Sequence, residues 1–381
     1  MAIISFGKIN KKILYAIFGG IFKLLATLAK DGISKDQEIE LKNHPFILGI
    51  NSGLGLCFSF IPFLISKKNY HDINCCIKGD EKLIYNDVFY EVRKNRIYYL
   101  LIIAFCDFTQ KLLFFLYVGL INFWIFDIPF IIMFSHFILK RKLYIHHFIT
   151  LIFIIIFGVV IIVVYYLFTD QPNDFFFQVL NTLILEIVFS LEIVVAKYAL
   201  EYKFCSPYEI CLFEGLFQLI LNLILLIIFT YIPLSEINYI TSTQYEGKIF
   251  IDNFFQYFSK MSLIEVISFI ISALGRFGFT IFSLIVTKCF TPSHSVIIII
   301  IGDLFFILYD IDPLWKILTE CVLYLILIFV ILVFLEIIEI NCFGLQKNTE
   351  KNIQSRAMKT DSTFDDDFSI IEKEDEEDSV N

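Results

Sequence analysis

The sequence predicts an all-α membrane protein. It has about ten transmembrane helices as two inverted five-helix repeats, both termini cytosolic, and a disordered acidic C-terminal tail. Three observations predict this. The chain is 58% hydrophobic with a mean hydropathy of +0.76, whereas soluble chains are about 45–50% apolar. Apolar runs recur along it, each near the roughly 20 residues that a bilayer core requires. The basic residues fall in alternate loops, as cytosolic loops should.

The candidate spans lie at 12–29, 45–66, 97–118, 121–139, 146–168, 174–198, 208–232, 262–287, 292–309 and 314–338. Lys23 in the first, Asp127 in the fourth and the shortness of the ninth demand a closely packed bundle or a water-lined cavity. Loop charge tests the count independently. The N-terminus carries Lys8, Lys11 and Lys12, the second loop Lys67 to Arg96, and the fourth Lys140, Arg141 and Lys142. The sixth carries Lys203 and the eighth Lys288. The intervening loops TDQPND and YDID lack base, and KDGISKDQEIELK has more acid than base. A miscounted span would reverse the alternation downstream. Five spans on each side of a central joint give the halves, 1–172 and 173–345, opposite orientations.

The joint is Glu186–Gln218. Glu186, Ser190, Lys197 and Glu201 share one helical face, and Glu192 points elsewhere. Lys197 lies near the cytosolic end, where a lysine can snorkel. Ser206 reads as an N-cap, with Pro207 in the first turn and Glu209 three residues after the cap. Glu214, Gln218 and Asn222 then form a stripe.

Ionisable groups inside a span face protein or water rather than lipid. In the eighth span Glu265, Ser268, Ser272, Arg276, Thr280, Ser283 and Thr287 fall on one stripe, with Gly275 and Gly278 nearby for close approach. That pattern suits a pathway-lining helix with Arg276 as an anion anchor, or helix–helix contacts through Ser and Thr. In the third span Asp107, Gln110 and Lys111 share a face, so Asp107 and Lys111 can pair at i, i+4. The expected substrate or pathway residues are Asp107, Gln110, Lys111, Glu192, Lys197, Glu214, Gln218, Ser272 and Arg276. Asp127 and Asp303 are candidates for proton coupling. His136 reads as a packing residue and His146–His147 as interfacial.

Net charge is −9, but the tail from Leu345 holds 11 acids against 5 bases, so the acidity belongs to the tail rather than to a binding surface. Segment 346–381 cannot bury a core. Its Asp366 with Ile370–Ile371 has the pattern that a sorting adaptor reads. The nine cysteines are scattered, odd in number and free of CxxC spacing, which argues against a zinc site or disulfide framework. No clustered His, nucleophile–base pair or GxSxG appears, so no catalytic residue, metal or cofactor is expected.

Four segments resemble the drug/metabolite transporter superfamily, in particular the F-subgroup of solute carrier family 35 and chloroquine-resistance-transporter-like proteins. They are AFCDFTQ around Asp107, FILKRKL at 137–143, KYALEYKFCSPYEICLFEGLFQL from Lys197 and VTKCFTPSH from Val286. The resemblance implies ten helices in two inverted repeats around a central cavity. The chain departs from the pattern at Ala196, at Gln218 and in NFWIFDIPFIIMF, which lacks an arginine, so a nucleotide-sugar cargo is not implied. The expected function is secondary transport of a small polar or charged solute, anionic or zwitterionic, across an endomembrane (vacuole, lysosome or Golgi). The alternative is a membrane scaffold or receptor acting through the acidic tail. Expected partners are the solute, membrane lipid and a sorting adaptor, with no nucleic acid.

Overall fold

The structure is a computed structural model. It describes residues 6–31, 44–65, 94–116, 126–141, 143, 145–167, 172–234, 242–259, 261–296, 298–299 and 329. Asp303, the tenth span apart from Phe329, the long second loop before Lys94 and the acidic tail lie outside the described residues.

The helices are α1 (Phe6–Asp31), α2 (Pro45–Cys57), α3 (Arg96–Leu116), α4 (Asp127–Ile138), α5 (Ile145–Leu167), α6 (Pro172–Tyr202), α7 (Pro207–Tyr231), α8 (Phe254–Ser259) and α9 (Leu263–Cys289). The α2 span continues past a turn at Phe58–Ser59 to Ile65. Among the described residues, five helices are long and apolar enough to cross a membrane, beginning at Pro45, Arg96, Phe175, Pro207 and Leu263. Shorter apolar helices cover Leu14–Ala29, Asp127–Ile138 and His147–Val160. The chain is therefore helical and has the span lengths of a membrane-embedded protein.

The bundle is apolar outside and partly polar inside. Phe105, Phe137, Phe153 and Leu263 are exposed, while Asp107, Lys111, Asp127, Glu186 and Glu214 are buried. Water would expel such an exterior, and lipid accepts it.

Helix ends follow local chemistry. Ser206 Oγ accepts the Glu209 amide at 3.0 Å at the start of α7, with Pro207 in the first turn. Glu209 does not close a reciprocal box there; its carboxylate pairs with Arg96 on α3 at 2.9 Å. The reciprocal box forms on α9 instead. Ser262 accepts from the Glu265 amide at 3.3 Å, and Glu265 accepts from the Ser262 amide at 2.5 Å. Glu265 thus belongs to the cap rather than to the polar stripe of that helix.

Between α7 and α9 the chain forms a small β-hairpin, β1 (Thr243–Tyr245) with β2 (Lys248–Phe250), outside the spans. Glu246 and Gly247 both have positive φ, 50° and 76°, as a type I′ turn requires. The sequence reading had no strand here. The hairpin leads to Asp252, whose carboxylate accepts the Phe46 and Ile47 amides at 2.9 and 3.2 Å and meets His44 Nδ1 at 2.7 Å. The α2 N-terminus is therefore capped from the distant α7–α9 connection, because His44 offers it no side-chain cap.

α1 lies along α9, and α3 lies along α6. α2 packs on α7 and α9, while α3 packs on α7. α4 rests on α6, and Gly19 of α1 meets Ile298. Small residues set these approaches. A Cβ on Gly53 would lie 2.9 Å from the Leu219 amide nitrogen, and one on Gly275 would lie 2.6 Å from that of Ala26.

Candidate functional site

The helices line a cavity of about 260 Å³. That is near the lower end of small-molecule sites, which run from about 300 Å³ upward. α1, α2, α3, α4, α6, α7 and α9 all contribute to its wall.

Asp107 is the electrostatic centre. It is 2% exposed, so its charge needs several donors. Lys111, one turn along α3, donates to Oδ2 at 2.6 Å. Gln218 Nε2 on α7 donates to the same oxygen. Arg276 on α9 points Nη2 at Oδ1 from 3.4 Å. Three helices are thus tied through one carboxylate. Arg276 also stacks near Phe279, 5.4 Å from the ring centre.

Other polar atoms in this ring lack partners. Gln110 Nε2, Glu192 Oε2, Glu214 Oε2 and Arg276 Nε are buried and make no hydrogen bond among the described residues. All four residues line the cavity. Buried polar groups are nearly always satisfied in folded proteins. Asn51 Oδ1, Ser52 Oγ and Asp127 Oδ1 in the same wall are open too, and this mixture of donors and acceptors can be satisfied by a solute carrying both an acceptor and a donor group.

Of the sequence-predicted residues, Asp107, Gln110, Lys111, Glu192, Glu214, Ser272, Arg276 and Asp127 line the cavity. Gln218 sits behind it, holding Asp107. Lys197 lies apart from it. Its ammonium meets the carbonyls of Phe290 and Lys288 at 2.5 and 3.1 Å and Glu201 at 2.6 Å. A cation suits the carbonyls at a helix C-terminus, so this lysine closes the end of α9.

The eighth-span stripe divides by depth. Ser272, Arg276, Thr280, Ser283 and Thr287 face the cavity. Ser268 donates to the Ala29 carbonyl on α1, which is helix–helix contact of the kind small hydroxyls make. Lys23, Asn51, Ser52 and Glu186 also line the cavity and were not among the predicted site residues. A lysine within an apolar run was the available signal for Lys23. Glu186 and Glu192 both reach the cavity wall although they leave α6 on different faces, because α3, α4 and α9 surround that helix. Among the described residues no His, Cys, Asp and Glu cluster could hold a metal ion.

In comparisons with models of known protein families and with curated proteins, the chain matches none.

Proposed function

We propose that this chain is a secondary transporter that moves a small solute across an endomembrane by alternating access. The observation that carries the reading is the ring of open donors and acceptors around Asp107. Its polar atoms are buried, and the cavity is lined largely by helices of spanning length. Of the two expected cargo classes it favours the zwitterion. An acidic group fits Gln110 and Arg276, and an ammonium group fits Glu192 and Glu214.

In the same proposal the architecture is ten spans in two inverted five-span halves, 1–172 and 173–345, with both termini cytosolic. The helix contacts support it. An exchange of each span in one half with its counterpart in the other maps α1 on α9 to α6 on α3. It maps α2 on α9 to α7 on α3, and leaves α2 on α7 unchanged. It also maps α4 on α6 to the contact of α1 with Ile298. Repeats related in this way place a site at their interface, and Asp107 and Arg276 lie on the exchanged pair α3 and α9.

The test is uptake by purified full-length protein in liposomes. The panel contains radiolabelled amino acids, small organic anions and small amines. Saturable uptake of an amino acid is expected, lost in Arg276→Ala and in Glu214→Gln while both variants elute as folded protein. Flux of anions or amines alone overturns the zwitterionic cargo. Absence of flux and of thermal stabilisation across the panel overturns transport in favour of the scaffold reading. Accessibility tags at the two termini should both report the cytosol, and opposite sides would exclude an even span number.

A further inference from the structure

The cavity holds a second charged group that the cargo ring does not use. Asp127 stands in the first turn of α4, and Glu186 lies midway along α6. They are 1% and 4% exposed, and both line the cavity. Glu186 lies one turn from Ser190 on α6, and Ser190 Oγ donates to the Asp127 carbonyl, so the two carboxyl groups are neighbours where α4 rests on α6. An ionised carboxylate is only an acceptor. Two carboxyl groups can therefore share a hydrogen bond only when a proton lies between them, and like charges in one buried site resist joint ionisation.

The surroundings define the charge balance. Lys23 of α1 acts on both carboxyls, and its ammonium donates to the Ile299 carbonyl at 3.2 Å. One proton on the pair leaves a single negative charge near the Lys23 ammonium. Loss of that proton leaves two carboxylates beside one lysine in a buried site. Ser190 Oγ donates to the Asp127 carbonyl at 3.1 Å, which holds the first turn of α4 against α6. The Asp127 Oδ1 atom has no partner among the described residues and lies in the cavity wall, open to a proton arriving through cavity water. The other charged groups around the cavity are Glu192 on α6, Asp107 and Lys111 on α3, Glu214 on α7 and Arg276 on α9. α9 otherwise presents Ser272, Thr280, Ser283 and Thr287, which do not titrate.

We infer that Asp127 and Glu186 form a proton-binding site, in which one proton is shared between the two carboxyl groups beside Lys23. The proton enters from cavity water by forming an O–H bond on one carboxyl and a hydrogen bond to the other, and it returns to water when both carboxylates ionise. Ionisation sets two like charges against each other across the α4–α6 contact, which pushes those helices apart. The site stands on this geometry. Its use in driving cargo rests on the transport reading.

The experiment is infrared difference spectroscopy of the full-length protein in liposomes at neutral pH, with exchange into heavy water to mark carboxylic-acid carbonyls. The wild type, Asp127→Asn, Glu186→Gln and the double variant are compared. Asn and Gln keep the shape and can hydrogen-bond to each other, so the double variant preserves the contact. Loss of one acid carbonyl is expected in each single variant, with no further loss in the double variant. Additive loss would mean that each acid carries its own proton, and an unchanged signal would mean that the pair carries none; either overturns the site. The wild-type spectrum is a test without any variant, since absence of an acid carbonyl overturns it alone. A shared proton with no cargo flux would leave the site standing and remove transport.

Discussion

Arg276 and Asp107 meet across the cavity at 3.4 Å, joining residues 169 positions apart in the chain. The pair is unequal. The arginine side chain is 28% exposed and that of aspartate 3%, and the aspartate keeps Lys111 and Gln218 when the arginine is removed. Asp107→Ala is expected to cost about 3–5 kcal/mol, since it strands a buried lysine. Arg276→Ala should cost about 1 kcal/mol or less in stability while abolishing uptake. Denaturant unfolding of both variants checks this, and equal losses would contradict the asymmetry.

Asp252 is 0% exposed and holds the start of α2 through two backbone amides and His44. Asp252→Ala removes the cap and leaves buried donors without a partner. The expected loss is about 2–3 kcal/mol. Hydrogen exchange should accelerate first at the Phe46 and Ile47 amides. A uniform change along α2 would show that the cap is not local.

Tyr257 packs edge-on against His44, 5.1 Å between ring centres, and its hydroxyl has no partner among the described residues. Burial pushes this hydroxyl above its ordinary value, with Glu265 and Asp252 adding to the rise. The folded state therefore holds the tyrosine proton more tightly than the unfolded chain. The resulting stability is fully present below the ordinary tyrosine range, near about pH 10, and is lost as pH rises above it. Tyr257→Phe should be neutral or stabilising by up to about 1 kcal/mol, because it removes an unsatisfied group. It should also reduce the alkaline loss. Thermal unfolding across that pH range is the measurement.

Two glycines should fail differently. Gly247 has φ of 76° with open space around its missing Cβ, so Gly247→Ala carries only a backbone cost of about 1–2 kcal/mol. Gly247→Asn should recover much of it, because Asn tolerates that conformation. A Cβ on Gly55 would run into the Ala273 carbonyl of α9. Gly55→Ala is expected to cost about 1–3 kcal/mol through displaced helices, and Gly55→Asn more. Melting temperatures of the four variants separate strain from crowding.

Local features were legible in the chain. Apolar runs of spanning length placed the five long apolar helices within a few residues. The Ser206–Pro207 start of α7 and the Asp107–Lys111 pair followed from spacings of three and four. Each depends on groups one turn apart, whose geometry the helix imposes by itself. Of the fourth span, the described helix covers Asp127–Ile138, and residues 121–125 lie outside the described residues.

The sequence by itself thus determined which segments are helical and apolar, the Ser206 cap of α7 and which polar residues share a face. Only the tertiary structure decided how those faces meet. It assigned Lys197 to the end of α9 and brought Glu186 to Asp127, Gln218 behind Asp107 and Asp252 onto α2. The physical reason is that a stripe defines a direction around one axis. Which stripes converge depends on the depth and rotation of neighbouring helices. Contacts such as Gly53 with Leu219 and Gly275 with Ala26 set those, between residues far apart in the chain.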